Sequence, residues 1–469
     1  MNMAKVHQVA RGFRITLFTL FMTGTLLSAC VNGGNYLEPQ EEKLGTDSDL
    51  DRSFHVVADE PQGFGLRMEG FIIGIEKSKR ETLGVQPLTD DPHLNSDPAG
   101  FDPENTRHLA ARLNDGKRTF ISHLVQAKLD DSLPIPYIKN LFLYDSYCTD
   151  CKDDRRPSHP TWTMKTDSLY ARSWEALEKL EGVLAEQLAV AHEEGQPYTH
   201  VVVGSMGWNT AQEKAVRNLN SIFGNILISQ SNGFKPLYIA VTWPSEWNVP
   251  MVSLGNKAND ADEIGFVWAN ALINWHLSDL RTRASANTWP AFKIIAIGHS
   301  LGARLMTRAA FSGAVLNPPV DLQDGLDLVI GLQGAFSMNR FLAERKKGRE
   351  GAPYANYKNL RGRVALTWSE HDKATPIANL ITGANYAGAE EGYERASDPR
   401  YKHHFAFYTA SEKGELTPEG DAASQEKQVI YINANSLIKY EVLGTGGKAH
   451  SDIYNAYMGS MLGTLISEF

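Results

Sequence analysis

Residues 298–302 read Gly-His-Ser-Leu-Gly, a Gly-x-Ser-x-Gly turn in which Ser300 can serve as a nucleophile. An apolar stretch, Ile294 to Ile297, precedes the turn and predicts a strand, and an apolar stripe at helical spacing over Ala303 to Val315 predicts a helix. Strand and helix pass so close at such a turn that only glycines fit on either side of the serine. The pattern therefore predicts a serine hydroxyl standing above a sheet.

The elements that would carry this turn alternate along the chain from about residue 166. Short apolar segments predict further strands over His200 to Gly204, Leu237 to Thr242, Asp327 to Leu332, Val364 to Trp368 and Gln428 to Asn433. Helices are predicted over Ser168 to Glu194, Ile264 to Trp275 and Ile453 to Ile466. Such alternation indicates an α/β fold, with a mostly parallel sheet and helices on both faces.

Two other parts of the chain have less regular patterns. In the mixed region before residue 166, Gly70 to Ile75 predicts a short strand and Thr106 to Leu129 predicts a helix. Later, the polar stretches 248–262 and 383–427 leave the same edge of the predicted sheet. We interpret these stretches as lids or as loop decoration.

In this order of elements, residues 200–460 resemble the α/β-hydrolase superfamily, most specifically at the turn around Ser300. The resemblance implies an α/β-hydrolase sheet and a triad in the chain order nucleophile, acid, histidine. It implies Asp372 as the acid, because Val364 to Trp368 leads through a short turn to that carboxylate and then to a proline. Glu370 is the alternative acid, and a helix cap is the alternative role for either carboxylate.

The base that this order requires must follow the acid, which leaves His403, His404 and His450. Histidine suits the role because its pKa lies near neutrality, so it can take a proton from the serine and return it to the leaving group. His450 lies in a glycine-rich loop before a predicted helix. His403 and His404 lie beside aromatic residues in a strand-like run and are interpreted as surface or packing residues. His450 is therefore the predicted base.

Two backbone amides are candidates for an oxyanion hole. The N–H of Leu301 lies at the predicted helix start after the serine, where a donor can stabilise a developing negative charge. Residues 204–209 read Gly-Ser-Met-Gly-Trp-Asn and resemble the His-Gly-aromatic-Asn turn of many serine esterases and lipases. The resemblance implies the N–H of Trp208 as the second donor, although Met206 stands where the family has histidine. An ordinary strand-to-helix turn is the alternative.

Tryptophans also collect at the carboxyl ends of predicted strands, where an open α/β sheet keeps its ligand crevice. They are Trp208, Trp243, Trp247 and Trp368. Residues 242–245 read Thr-Trp-Pro-Ser and resemble a turn of certain lipase-like hydrolases. The tryptophans either form an apolar acyl pocket or pack beneath loops.

The first 30 residues resemble a bacterial lipoprotein signal peptide. Three basic residues precede an apolar run from Ile15 to Leu27, which is too short to span a bilayer and ends in Leu-Ser-Ala before Cys30. The resemblance implies cleavage after residue 29 and acylation of Cys30. In such proteins an aspartate after the cysteine causes retention at the inner membrane, and this chain has Val31 there. The resemblance therefore favours a lipid anchor at the outer membrane of the cell envelope.

The remaining cysteines, Cys148 and Cys151, form an isolated Cys-x-x-Cys pair. In an exported chain a short-loop disulfide is the favoured interpretation. A redox-active pair and a metal site are the alternatives, but the first lacks thioredoxin-like surroundings and the second needs two further ligands.

Charge and order of segments limit the classes of function. Residues 1–29 carry three of the 46 basic residues and none of the 55 acidic ones, so the net charge of the remaining chain is −12. This negative charge argues against nucleic-acid binding. We divide the chain into a signal peptide (1–29), an acidic tether (30–62), a mixed region (63–165) and a catalytic domain (166–469).

The predicted function is a serine hydrolase that cleaves small-molecule or lipid carboxylic esters without a metal or organic cofactor. A lipase or phospholipase acting on long acyl chains is the nearest alternative. A binding lipoprotein that keeps the fold without turnover is the alternative from another class.

Overall fold

The structure is a computed structural model that describes residues 65–77, 119–130, 132, 137–146, 166–230, 233–245, 250–287, 289–316, 325–342, 354, 360, 362–372, 385–420, 427–439 and 449–468. The predicted signal peptide, Cys30, the acidic tether, Cys148, Cys151 and Trp247 lie outside these ranges. No helix in the described ranges is long and apolar enough to cross a membrane.

The elements follow one another in an order close to the predicted alternation. They are β1 (Gly70–Lys77), β2 (Thr119–Asp130), β3 (Tyr137–Asp145), α1 (Thr166–Glu193), β4 (His200–Ser205), α2 (Gln212–Ser229), β5 (Pro236–Thr242), α3 (Pro250–Ile264), α4 (Ser278–Ala286), β6 (Lys293–His299), α5 (Leu301–Ala310), β7 (Leu328–Leu332), β8 (Arg363–Trp368), α6 (Glu390–Ser397), β9 (Phe405–Ala410), β10 (Leu416–Glu419), β11 (Val429–Asn433) and α7 (Ala456–Glu468). Two π-helical segments, Gly265–Ala269 and Ala271–Leu277, connect α3 to α4.

The strands of the described ranges form one sheet in the order β10-β9-β11-β8-β7-β6-β4-β5-β1-β2-β3. All neighbours from β9 through β1 in this order pair in parallel. The antiparallel pairs involve β10 at one edge and β2 and β3 at the other. The predicted fold class, a mostly parallel α/β sheet, is confirmed.

Successive residues of a strand point to opposite faces of the sheet, and here apolar side chains lie on both faces. Helices therefore cover both faces. On β4, Val201 and Val203 belong to a core packed against α1, α3 and α5, whereas Val202 belongs to a second core packed against α2 and α7. The central strands are therefore buried on both faces, which explains their unbroken apolar runs.

The helix predicted over Thr106 to Leu129 is wrong for the part that the structure describes, because residues from Thr119 onward form strand β2. This strand pairs with β1 on one side and β3 on the other. Its first seven residues are all buried, so apolar side chains fall on both faces and the strict alternation that indicates a strand is lost.

The interpretation of the two polar stretches as loop decoration is also wrong where they are described, and their role as lids stays a prediction. Residues from Pro250 belong to helix α3, and the stretch 383–427 contains α6, β9 and β10. Strand β9 pairs with β11 in parallel and so extends the sheet. Strand β10, which is mostly exposed, pairs with β9 and forms one edge of the sheet.

A buried charge cluster joins α3 to α5, the helix that follows the Ser300 turn. Asp262 accepts hydrogen bonds from Arg304 at 2.6 Å and from both terminal nitrogens of Arg340 at 2.9 Å, and Arg308 Nε lies 3.6 Å away. Burial alone would raise the pKa of Asp262, but the three guanidinium groups outweigh it and hold that pKa well below its usual range. The carboxylate thus stays charged in the core.

We expect Asp262→Ala to destabilise the fold by about 3–5 kcal/mol, because it leaves three buried guanidinium groups without this carboxylate. Urea unfolding at neutral pH measures the loss. Asp279→Ala is the matched control: its pair with Arg283 is about half exposed, and its removal should cost under about 1 kcal/mol. Because the folded pKa of Asp262 is depressed, its contribution is present above the pKa of the unfolded carboxyl and is lost as the pH falls below it. Equal losses in the two variants would contradict this role.

Candidate active site

The turn between β6 and α5 holds Ser300 in a backbone conformation that non-glycine residues rarely adopt, with φ 57° and ψ −121°. A Cβ on Gly298 would lie 2.3 Å from Gly302 O, and a Cβ on Gly302 would lie 2.3 Å from Ser205 O. Gly298 therefore requires glycine for the predicted reason, the close passage of strand and helix, whereas Gly302 requires it because the end of β4 passes against it.

Backbone hydrogen bonds to the neighbouring strand hold this strained serine in place. Ser300 N donates to Leu332 O at 2.9 Å, and Ala335 N donates to Ser300 O at 3.1 Å. Ser300 is buried, with 7% of its surface exposed. Strain that the surroundings enforce in this way is common at functional sites.

The structure brings His450 and Asp372 together. His450 Nδ1 lies 2.7 Å from Asp372 Oδ2, and the Asp372 side chain is fully buried. Burial alone would lower the pKa of His450, but the charge and hydrogen bond of Asp372 outweigh it and raise this pKa above its usual value. Since Asp372 occupies Nδ1, Nε2 is the ring nitrogen left to act on another group.

A hydrogen bond from His299 connects the His450 segment to the Ser300 turn. Burial, and next the neighbouring His450, lower the pKa of His299 to about 3, so its ring is neutral. Its Nε2 lies 2.7 Å from His450 O, which can only accept a hydrogen bond, so Nε2 carries the proton. The two rings lie 4.8 Å apart. His450 is thereby placed beside the residue that precedes Ser300.

The other predicted candidates occupy different surroundings. Glu370 is about half exposed, and its carboxylate faces His371 at 3.8 Å. His403 is exposed and His404 half-buried, with their rings 4.0 Å apart. Among the described residues, no hydrogen bond joins Ser300 Oγ to His450. Such bonds are often long before substrate binds.

The loop after β4 contacts the serine directly. A Cβ on Gly207 would lie 2.5 Å from Ser300 Cβ and 3.0 Å from its Oγ, so this loop passes against the nucleophile. Trp208 follows it and is half-buried. Leu301 N–H, the first amide of α5, has no hydrogen-bond acceptor within the described ranges. Both predicted oxyanion donors therefore belong to segments that border Ser300.

Residues of the Thr-Trp-Pro-Ser turn support this loop, a contribution that sequence reasoning missed. Trp243 Nε1 donates to Met206 O at 2.8 Å, and Asn209 N donates to Ser245 O at 3.0 Å. Ser245 Oγ also donates to Thr210 O at 2.8 Å. These bonds hold the loop in place from the turn after β5.

Two of the tryptophans pack rather than line an open pocket. Trp243 and Trp368 are each 5% exposed. Trp368 stacks on Tyr393 with ring centroids 4.3 Å apart, and Trp243 braces Met206. The packing interpretation therefore holds for both, and among the predicted tryptophans that the structure describes, Trp208 remains the candidate for contact with a ligand.

Asp372 has a further neighbour that sequence reasoning missed. Gln333 Nε2 donates to Asp372 Oδ2 at 3.0 Å. No motif marks this glutamine, whose only signal is its position directly after a strand next to β6. In the described part of the chain, no group of three or more metal-binding side chains is close enough to hold a metal ion.

No protein-family model matches this sequence, and no curated protein matches it. Among solved structures, the chain is similar to a protein assigned as a cell surface hydrolase from Lactobacillus plantarum WCFS1, with a TM-score of 0.28 and 10% identity over 58% of this chain and 91% of that one. It is also similar to LpqC, a poly(3-hydroxybutyrate) depolymerase from Bordetella parapertussis, with a TM-score of 0.29 and 17% identity over 58% of this chain and 80% of that one. Similarities this low carry no information about activity.

Proposed function

We propose that this chain is a serine hydrolase that cleaves carboxylic esters through an acyl-enzyme intermediate. The observation that carries the proposal is the 2.7 Å contact between His450 and a buried Asp372, placed by His299 beside the strained Ser300 turn. A nucleophile, a base and a group that orients the base are the three parts that such catalysis requires.

In the proposed reaction, Ser300 Oγ attacks the ester carbonyl carbon while His450 Nε2 takes the hydroxyl proton. Asp372 keeps the proton of His450 on Nδ1 and stabilises the imidazolium that forms. The amides of Leu301 and Trp208 donate to the negatively charged oxygen of the tetrahedral intermediate. His450 then gives its proton to the departing alcohol, which leaves the acyl group on Ser300. Water next attacks the acyl carbon while His450 takes a proton from it, and His450 gives that proton to Ser300 Oγ as the carboxylic acid departs. The scheme uses neither a metal nor an organic cofactor.

A fluorophosphonate probe tests this proposal, because only an activated serine reacts with it. We expect the purified protein to be labelled at Ser300 and to hydrolyse aryl esters. A series of esters of increasing acyl length then separates a short-chain esterase from a lipase or phospholipase. A protein that is folded, unlabelled and inactive on the whole series would instead be the binding lipoprotein.

The cellular setting is part of the proposal. Cys30 is acylated after removal of residues 1–29, residues 30–62 act as a tether, and the enzyme is held at the outer membrane. Cys148 and Cys151 form a disulfide. Mass analysis of the mature N-terminus and alkylation without reductant test these two modifications. An unmodified N-terminus, or two free thiols in protein taken from the cell envelope, contradicts the corresponding one.

We expect Trp243→Phe to lower kcat about three- to tenfold, because Met206 O loses the indole N–H that holds the loop after β4. Such a hydrogen bond contributes about 1 kcal/mol. Trp368→Phe is the matched control. Trp368 is equally buried, and its indole nitrogen has no hydrogen-bond partner among the described residues. The measurement is steady-state kinetics of ester hydrolysis. Equal kcat in both variants would show that the indole hydrogen bond does not support the loop.

A further inference from the structure

Gln333 is a buried residue in an unusual backbone conformation at the end of strand β7. It is 0% exposed and has φ 47°, a region that non-glycine residues seldom adopt. Gly388 packs so closely on it that a Cβ there would lie 2.4 Å from Gln333 C. The chain thus accepts strain to bring this side chain to the sheet edge that carries Asp372.

Three hydrogen bonds hold the Gln333 side chain, and a fourth, from its backbone N–H, orients the Thr367 hydroxyl that takes part in one of them. Gln333 N donates to Thr367 Oγ1, and Thr367 Oγ1 donates to Gln333 Oε1, both at 3.0 Å. Gln333 Nε2 donates to Gly388 O at 2.9 Å and to Asp372 Oδ2 at 3.0 Å. The carbonyl and the carboxylate can only accept, so the amide nitrogen must face them. The amide is therefore held with its N–H groups toward Asp372.

Asp372 Oδ2 accepts hydrogen bonds from Gln333 Nε2 and from His450 Nδ1. A neutral donor on a buried carboxylate stabilises its charged form and fixes its plane without cancelling its charge. It also draws negative charge away from the oxygen that binds His450. The geometry of Asp372, and the strength with which it holds the imidazolium, thus depend on this glutamine.

We propose that Gln333 is a positioning residue that, through Asp372, sets the orientation and basicity of the general base His450. The inference rests on the proposed function, since it assigns His450 the role of base. Within the part of the chain that the structure describes, the other titratable group in contact with His450 is His299, which is neutral and therefore does not compete with Asp372 in setting the charge of His450.

The test is Gln333→Met, which keeps the length and unbranched shape of the side chain but removes the donor. Without that donor the Asp372 carboxylate is more basic and holds the His450 proton more tightly, so the pKa of His450 should rise further. NMR titration of the His450 ring measures this directly and needs no turnover. In kinetics, the acid limb of kcat/KM should move to higher pH and kcat should fall roughly tenfold, with KM unchanged because Gln333 is buried away from substrate.

Gln428→Met is the matched control. Like Gln333, Gln428 donates two hydrogen bonds from its Nε2, here to the backbone carbonyls of Leu360 and Gly362, but it lies at the opposite end of the strands, before β8 and β11. Loss of its bonds should lower thermal stability and leave the His450 titration unchanged. Thr367→Val removes the hydroxyl that holds the Gln333 amide and leaves the amide free to turn. It should shift the pKa of His450 in the same direction as Gln333→Met, whereas Thr367→Ser, which keeps the hydroxyl, should not.

An unchanged His450 titration in folded Gln333→Met overturns the inference, whatever the enzyme activity. A protein whose His450 titration shifts as expected but whose ester hydrolysis does not depend on Ser300 supports the link from Gln333 to His450 and refutes the proposed function. The two failures are therefore distinguishable.

Discussion

Ser300→Ala should lower ester turnover by about 10³-fold or more and abolish labelling by a fluorophosphonate, because no acyl-enzyme can form without the hydroxyl. His450→Ala should cause a loss of the same order. The double variant should be little worse than either single one, since a nucleophile without its base and a base without its nucleophile are both ineffective. Single-turnover kinetics with an activated ester measures all three.

Ser205→Ala is the matched control for this series. Ser205 ends the neighbouring strand β4, is 1% exposed, and has a hydroxyl with no hydrogen-bond partner among the described residues. Its loss should leave turnover and labelling unchanged. Ester hydrolysis that persists in Ser300→Ala, or additive losses in the double variant, would mean that Ser300 and His450 do not act as one unit.

The features that the sequence predicts correctly are those determined by local chain geometry. The strands from β4 to β8 are short apolar runs because helices cover both faces of the sheet. Such runs can be recognised as strands in the sequence alone. The glycines at 298 and 302 are required by contacts within the turn and with the adjacent strand. The contact of His450 with Asp372 came from the chain order that the resemblance implies, not from local pattern.

Contacts between distant residues that neither a motif nor the resemblance marks could not be predicted. Gln333 and Asp372 are 39 residues apart, and Trp243 and Met206 are 37 apart, so neither pair leaves a periodic signal. Strand β2 was missed for a related reason. Its burial on both faces comes from pairing with β1 and β3, and its apolar residues alone also fit helical spacing.

Asp372→Asn should lower kcat/KM substantially while leaving labelling at Ser300 detectable, because the nucleophile and oxyanion donors remain. A wrong imidazole tautomer can cost about 10⁴-fold in such a variant. Here the loss should be smaller, since Gln333 Nε2 and His450 Nδ1 both donate to the same oxygen and will select the asparagine rotamer that presents its carbonyl. Glu370→Gln, on the half-exposed neighbouring carboxylate, is the control and should have little effect.

The pH dependence of kcat/KM, and the effect of the same substitution in the Gln333→Met variant, test this prediction further. The charge of Asp372 raises the pKa of His450, so removing it should move the acid limb of kcat/KM to lower pH, opposite to the shift expected for Gln333→Met. In Gln333→Met, nothing at position 333 selects the rotamer of the new asparagine, and its amide can turn toward Nδ1. Asp372→Asn should then cost more than in the unaltered protein, and a double-mutant cycle measures the excess. A crippled Glu370→Gln beside a nearly unaffected Asp372→Asn would transfer the role of the acid to Glu370.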